Sequence, residues 1–331
     1  MRGAGAIWCD ALIHNLGGTD GEITPILVHR VSRIASSEWL IFFPESAVQH
    51  DEPSGITLVV GDQGMLGRAW HQLLKHLRIH HRGLNREIMD ITDEESVVRQ
   101  ISDETRLVVN TAAFTDVDGA EQDPDLAHRV NGTAVGYLAD RCHAVGATLI
   151  HYSTDYVFNG RASQPYAVTT SHDPINTYGR SKAAGENLVR SSRCDHLMIR
   201  TSWLYAPWGR NFVRTMFAAL RERDSVRVVA DQRGRPTSAT HLARTSWELY
   251  LRGARGAFHI CDEGDCSWHE FAQELARVSD APGRVQACTT AEFPRPAPRP
   301  TYSVLDLSQT TALLGALPTW QQNLAEVVRE W

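Results

Sequence analysis

The sequence predicts an α/β chain, a doubly wound parallel sheet with a smaller lobe toward the C-terminus. Three observations carry that expectation. Continuous apolar runs recur at Ile56-Thr57-Leu58-Val59-Val60, Leu107-Val108-Val109, Ala147-Thr148-Leu149-Ile150-His151-Tyr152 and His196-Leu197-Met198-Ile199, with helical patterns between them, as strands buried on both faces require. A glycine-rich turn, Gly61-Asp62-Gln63-Gly64-Met65-Leu66-Gly67, joins the first run to a helix written by Trp70, Leu73, Leu74 and Leu77. The composition, 331 residues with 42% apolar and 22% charged, is that of an ordinary globular chain able to bury a large core.

Composition also narrows the function classes. A net charge of −6 gives no support to nucleic acid as the main partner. No run of eighteen apolar residues and no secretory leader pattern is present, so no membrane partner is expected and a cytoplasmic location is. Six cysteines (Cys9, Cys142, Cys194, Cys261, Cys266, Cys288) lack any Cys-x2-Cys spacing and read as reduced thiols. The fifteen histidines, His80-His81 included, form no ligand-spaced set, so no metal is expected.

Residues 1–54 announce no domain. They hold the apolar pieces Ile26-Leu27-Val28 and Trp39-Leu40-Ile41-Phe42-Phe43 and end in a linker, Asp51-Glu52-Pro53-Ser54-Gly55. The segment reads as a loosely attached extension or a translation-start artefact, with partial disorder and order equally expected. A dinucleotide-binding domain is expected over 55–205, rejoined by about 240–262, with 206–331 mainly the smaller lobe.

The first strand runs straight into the glycines, whose arrangement permits a tight turn and lets backbone N–H groups reach a pyrophosphate at the helix N-terminus. Strand, Gly61-x2-Gly64-x2-Gly67 and helix in that order are the dinucleotide-binding arrangement of a Rossmann-like sheet. A turn without a ligand is the plain alternative. The second strand should lie near residues 77–84 and end at Asn85-Arg86, where an acidic residue usually holds the ribose 2′-hydroxyl. Asn85 stands there instead, and Arg82 and Arg86 suit a 2′-phosphate, unless they are solvated surface arginines. This points to NADPH, with NADH also open. Asp90 can accept from an adenine amino group or serve a turn, and Thr92 with Glu95 is in register for a capping box.

The third strand ends in Asn110-Thr111-Ala112-Ala113-Phe114-Thr115, whose small residues leave room for a cofactor. A helix after Pro124 carries Asn131, which needs a partner at that position. The fourth strand delivers Ser153 and Thr154 at its C-terminal end, where open α/β sheets bind ligands. Tyr178 and Lys182, four apart, share one helix face, and an ammonium there favours the phenolate and lowers the tyrosine toward working pH. Thr154 could then hold a carbonyl oxygen while Tyr178 moves its proton. The same spacing also occurs on any amphipathic helix.

Past Trp203 the sequence suggests a helix near 212–220, a strand at Val226-Arg227-Val228-Val229, a helix over 240–251 and a strand at Ala257-Phe258-His259-Ile260. A stiff proline-rich loop at 294–300 and a terminal helix through Trp320 close the chain.

From about residue 55 onward the chain resembles the extended short-chain dehydrogenase/reductases, and within them the dTDP-4-dehydrorhamnose reductases. The resemblance rests on Gly61-x2-Gly64-Met65-Leu66-Gly67, Asp90-Ile91-Thr92, Asn110-x-Ala112-Ala113-Phe114-Thr115-x-Val117-Asp118-x-Ala120-Glu121 and Ser153-Thr154-Asp155-Tyr156-Val157-Phe158. It continues in Tyr178-Gly179-x-Ser181-Lys182, Arg200-Thr201-Ser202-Trp203, Asp231-Gln232-x-Gly234-x-Pro236-Thr237 and Arg299-Pro300. Thr111 stands where the family more often has alanine. The resemblance implies hydride transfer from NAD(P)H to C4 of a nucleotide-linked 4-keto-6-deoxyhexose. Tyr178 would be the proton donor, Lys182 would lower its pKa and hold the nicotinamide ribose, and Thr154 would bind the carbonyl oxygen. Met65, Leu66, Asp90, Ile91, Ala113, Phe114 and Thr115 would line the cofactor, together with Ala112 and Arg86. Asp155, Tyr156 and Trp203 would face the sugar, with Trp203 offering a flat indole face, and Arg235 and Arg299 would grip the nucleotide diphosphate in a substrate-binding lobe. Related dehydratases follow the threonine with Asp-Glu as acid and base for elimination; Asp155-Tyr156 lacks the second carboxylate. Some relatives serve as regulatory subunits of another enzyme. The product sugar, dihydrostreptose or rhamnose among others, and a homodimer are left open.

Overall fold

The computed structural model describes residues 55–331, so the expectations for 1–54 fall outside the described residues. The chain opens with β1 (Ile56–Val60), α1 (Met65–His76) and β2 (His81–Leu84). After them come α2 (Glu94–Gln100), β3 (Thr105–Asn110), α3 (Val117–Gln122), α4 (Pro124–His128), α5 (Ala134–Val145) and β4 (Thr148–Thr154). α6 (Thr177–Ser191), β5 (His196–Thr201) and β6 (Leu204–Tyr205) follow. The later chain carries α7 (Phe212–Glu222), β7 (Ser225–Val229), β8 (Arg233–Gly234), β9 (Thr237–Ser238), α8 (Ala239–Leu251) and β10 (Gly256–His259). It ends in β11 (Cys266–Ser267), α9 (Trp268–Val278), β12 (Arg284–Cys288), α10 (Ser308–Leu314) and α11 (Trp320–Arg329).

Six strands pair in the order β10-β5-β4-β3-β1-β2, every pair parallel. The chain winds one way from β1 to β2 and the other way from β3 onward. The C-terminal ends of β1 and β3 therefore flank the crevice where open sheets of this kind take ligands. Alternation along β1 sends Val59 into a core with Trp70, Leu74, Leu242 and Trp247 of α1 and α8. It sends Leu58 and Val60 into a second core with Val97, Leu138, Cys142 and Val189 of the opposite helices. A buried chain of hydrogen bonds, Trp70 Nε1 to Tyr152 Oη (2.8 Å) and Tyr152 Oη to Ser246 Oγ (2.8 Å), pins α1 and α8 to β4. The strand after α8, β10, pairs parallel with β5 at the edge of the sheet. The smaller lobe has its own core, Val213, Leu220, Val226, Phe271, Leu275 and Leu324, under the parallel pair β7 and β12.

Two local expectations change. Asp93, not Thr92, caps α2, its side chain accepting from the Glu95 amide, while the Thr92 hydroxyl donates to Asp90 Oδ1 at 2.7 Å. The helix after Pro124 is interrupted by a π-helical turn, Arg129–Thr133, between α4 and α5. That turn carries Asn131 with the partners it needs: Oδ1 accepts from Phe114 N, and Nδ2 donates to Phe114 O and Ser181 Oγ, at 2.9, 2.9 and 3.0 Å. Turns of this type are frequent at functional sites. Among the described residues no helix is long and apolar enough to cross a membrane, and no group of three or more His, Cys, Asp or Glu side chains could hold a metal.

Candidate active site

A cleft of about 760 Å³ runs along the C-terminal ends of β1, β3, β4 and β5. It starts at the glycine turn. Gly61 has φ +76°, and a Cβ there would stand 2.7 Å from Ala112 N, so only glycine allows β1 to turn under β3. Gly64, Met65 and Leu66 line the cleft where α1 begins. The N-cap of α1, Gly64, offers no side-chain hydrogen bond and the first turn holds no acid, which leaves the N–H groups and the positive helix end to an anion. The cradle thus fits the pyrophosphate of a dinucleotide. Gly67 does not line the cleft. It packs α1 onto the turn, where a Cβ would lie 2.5 Å from Gly61 O and 2.6 Å from Asp62 Cα. Both are backbone atoms, so Gly67→Ala should push the turn out of shape, costing about 1–3 kcal/mol by overpacking and weakening NADPH binding at least tenfold. A Tm and NADPH Kd both equal to wild type would refute this.

Farther along, Arg86, Asp90 and Ile91 line the cleft, joined by Met89 and Thr92. Asn85 Oδ1 accepts the Glu87 and Ile88 amides, so it builds the turn rather than reaching outward. Arg82 donates to Gln100 instead of facing the cleft, which corrects its expected place beside Arg86. Arg86 stays mostly exposed, 3.5 Å from Asp90. Asp90 Oδ1 is taken by the Thr92 amide and hydroxyl, and those bonds hold its carboxyl below the usual range. Ala112, Ala113, Phe114 and Thr115 form the β3 side. Thr111, the departure from the family pattern, donates to Val60 O at 2.7 Å and Gly61 O at 3.1 Å, tying β3 to the glycine turn.

Thr154, Asp155, Tyr156, Tyr178 and Lys182 come together on the β4 side of the same cleft. The Asn176 side chain caps α6 through Gly179 N at 2.7 Å, and Glu121 binds Thr177 N and Oγ1, so the helix start carrying Tyr178 is fixed from two directions. Tyr156 meets Tyr178 edge-on, ring centroids 5.9 Å apart. The expected lowering of Tyr178 by Lys182 is not seen. Burial pushes the Tyr178 phenol well up, the Asp155 charge adds to the rise, and the Thr154 hydroxyl opposes it. Lys182 instead donates to Tyr152 O at 2.6 Å, and burial brings its ammonium down to about 8. The phenol is neutral, the state suited to give a proton to a developing alkoxide. Thr154 Oγ1 donates to Asp155 Oδ1 at 2.9 Å and accepts from Tyr156 N at 3.1 Å, so its proton does not point at a cleft oxygen as expected.

Three further expectations are corrected. Trp203 lines the cleft, in a left-handed conformation (φ +47°) that costs a non-glycine residue about 1–3 kcal/mol. Its indole stacks on Trp268, 3.6 Å between centroids, and Gly234 packs on the other face. An edge, not an open apolar face, is what remains for a ligand. Arg235 donates to Leu305 O and Gly264 O, and Arg299 pairs with Asp118 at 3.0 Å; neither lines the cleft. The lobe's cation on the cleft is Arg210, beside Asn211, the N-cap of α7. An Arg-Asn pair just ahead of a helical pattern was the sequence signal for both, and Ser267-x2-Glu270 announced the helix that begins with Trp268.

The family model described as "RmlD substrate binding domain" matches residues 56–331. The chain is 38% identical over 275 residues to the spore coat polysaccharide biosynthesis protein SpsK of Bacillus subtilis, covering 82% of this chain and 96% of that one. It is 40% identical over 278 residues to a dTDP-4-dehydrorhamnose reductase of Streptomyces griseus, covering 81% and 91%. The crystal structure of dTDP-4-dehydrorhamnose reductase from Bacillus anthracis in complex with NADP superposes with a TM-score of 0.81 at 33% identity, covering 84% of this chain and all (100%) of that one.

Proposed function

The chain belongs to the RmlD substrate binding domain family, and on that premise we propose that it reduces the C4 keto group of a dTDP-linked 4-keto-6-deoxy-L-hexose with NADPH. The single observation carrying this reading is that Tyr178, Lys182 and Thr154 meet on the wall of a cleft that begins at an uncapped, glycine-lined helix N-terminus. Bound in that cradle, NADPH supplies the hydride. The α1 N-terminus with Gly61, Gly64, Met65 and Leu66 would hold the pyrophosphate, and Arg86 would serve the 2′-phosphate. Tyr178 gives its Oη proton to the oxygen at C4 as negative charge develops there. A phenol raised by its surroundings is fully protonated at neutral pH, which is the state a reduction needs. Lys182, one turn along α6 and anchored on Tyr152 O, would hold the nicotinamide ribose. Arg210 offers the diphosphate a cation.

The purified full-length protein should consume NADPH when given a dTDP-4-keto-6-deoxy-L-hexose, with one sugar reduced per NADPH. No consumption, with NADPH binding intact, overturns the reading and leaves a cofactor-binding regulatory subunit in its place.

Arg86 sets a second expectation, a preference for NADPH. Arg86→Ala removes a charge-assisted contact to a 2′-phosphate worth about 1.5 kcal/mol, so kcat/KM for NADPH should fall about tenfold while that for NADH holds. Equal losses with both cofactors would show that Arg86 does not read the 2′-phosphate.

A further inference from the structure

We infer that Asp155 is a positioning residue whose protonation sets the direction of the Thr154 hydroxyl, and that the productive complex is the one in which Asp155 carries a proton. The inference rests on the reductase reading above and adds a proton-linked step to it. Thr154 Oγ1 donates to Asp155 Oδ1 at 2.9 Å and accepts from Tyr156 N at 3.1 Å. A hydroxyl has one proton to give, and an ionised carboxylate can only accept. In this state Thr154 has no proton left for a keto oxygen in the cleft. A proton taken from solvent onto Asp155 reverses the bond. The carboxylic O–H then donates to Thr154 Oγ1, whose two lone pairs serve it and the Tyr156 amide, and the Thr154 proton becomes free to point at the substrate oxygen.

A second observation favours the protonated state. Asp155 is 2% exposed, and its Oδ2 is buried without a hydrogen-bond partner, an arrangement that costs a carboxylate more than a neutral acid. Burial pushes the group up to about 6; the Ser303 hydroxyl lies close enough to oppose the rise without reaching hydrogen-bonding geometry at Oδ2, and the Thr154 hydroxyl opposes it as well. The groups facing it from neighbouring elements are Tyr156 on its own turn, Tyr178 on α6 and Cys261 after β10, all raised by burial and neutral at neutral pH. Beyond Tyr156 lie Arg299 and Asp118, and farther along α6 come Lys182, at about 8, and Glu186, paired with Arg200 and Arg190. Asp155 is thus the group here that titrates just below neutrality.

The test uses the full-length protein loaded with NADP⁺ and titrated with the dTDP-4-keto-6-deoxy-L-hexose, so that no turnover intervenes. Calorimetry at pH 7 in buffers of different ionisation enthalpy should show uptake of close to one proton on binding. The sugar Kd should rise about tenfold between pH 7 and pH 8, the slope of one linked proton. Asp155→Asn, whose amide donates to Thr154 at every pH, should abolish both the uptake and the slope. Wild-type binding without proton uptake overturns the inference, whether or not the variant folds. A folded, NADPH-binding variant that keeps the wild-type slope overturns it too. Failure of the reductase reading looks different: the wild-type protein would then neither bind nor reduce the sugar at any pH.

Discussion

Tyr178→Phe should lower kcat for the keto sugar by about a hundredfold or more, the scale of positioned acid catalysis. The substitution removes one hydroxyl and leaves a ring of nearly the same shape against Tyr156. The glycine turn and the β3 wall stay untouched, so NADPH Kd and Tm should match wild type. With the phenol raised by burial, the wild-type rate should not fall through any Tyr178 ionisation near neutral pH. Near-wild-type turnover in the phenylalanine variant would remove Tyr178 from the proton-donor role.

Glu186→Ala should cost about 3–5 kcal/mol of stability, because it leaves a buried guanidinium without its counter-charge. Arg200 is fully buried and grips Glu186 with Nε at 2.8 Å and Nη2 at 2.7 Å; His172 and Arg190 reach the same carboxylate. The pair lies one turn beyond Lys182 and ties α6 to β5. Although burial alone would raise Glu186, the Arg200 and His172 hydrogen bonds and the Arg200 charge hold it far below its ordinary 4.5. A depressed carboxylate contributes stability above that ordinary value and loses it as pH falls below. His259, lowered to about 3 by burial and by Arg200, binds fewer protons folded than unfolded, so stability also declines below its ordinary 6.5. Acid unfolding of wild type should therefore show both contributions, and Glu186→Ala should keep the upper and lose the lower. A drop in Tm equivalent to less than about 1 kcal/mol would show that the pair is not the clamp described.

Much of the fold was legible because its signals are local. Apolar runs such as Leu107-Val108-Val109 and the glycine turn each state their geometry within a few residues, and Tyr178 and Lys182 are fixed relative to one another by the helix period. Asn131 announced a need for a partner, but Phe114 and Ser181 could only be found in space. What could not be read depends on residues far apart in the chain. Trp203 looks like an open platform until Trp268 and Gly234 close over it. Arg235 and Arg299 sit beside prolines as diphosphate ligands might, yet Leu305 O, Gly264 O and Asp118 claim them. The direction of the Thr154 proton depends on the protonation of Asp155, whose burial its sequence neighbours do not state.

The π-turn at Arg129–Thr133 has a consequence for chain length. One residue more than a regular turn shifts everything beyond it by about 100° around the axis. α5 therefore buries Ala134, Val135, Leu138, Ala139 and Cys142 in a phase of its own, distinct from that of Ala127 in α4. A chain shortened by one residue here would regain an unbroken α-helix. It would then either swing Asn131 off the Phe114 backbone or rotate the apolar stripe of α5 toward water. The surplus residue works as a phase shifter, and it makes this stretch of helix as intolerant of insertion and deletion as loops are tolerant of them.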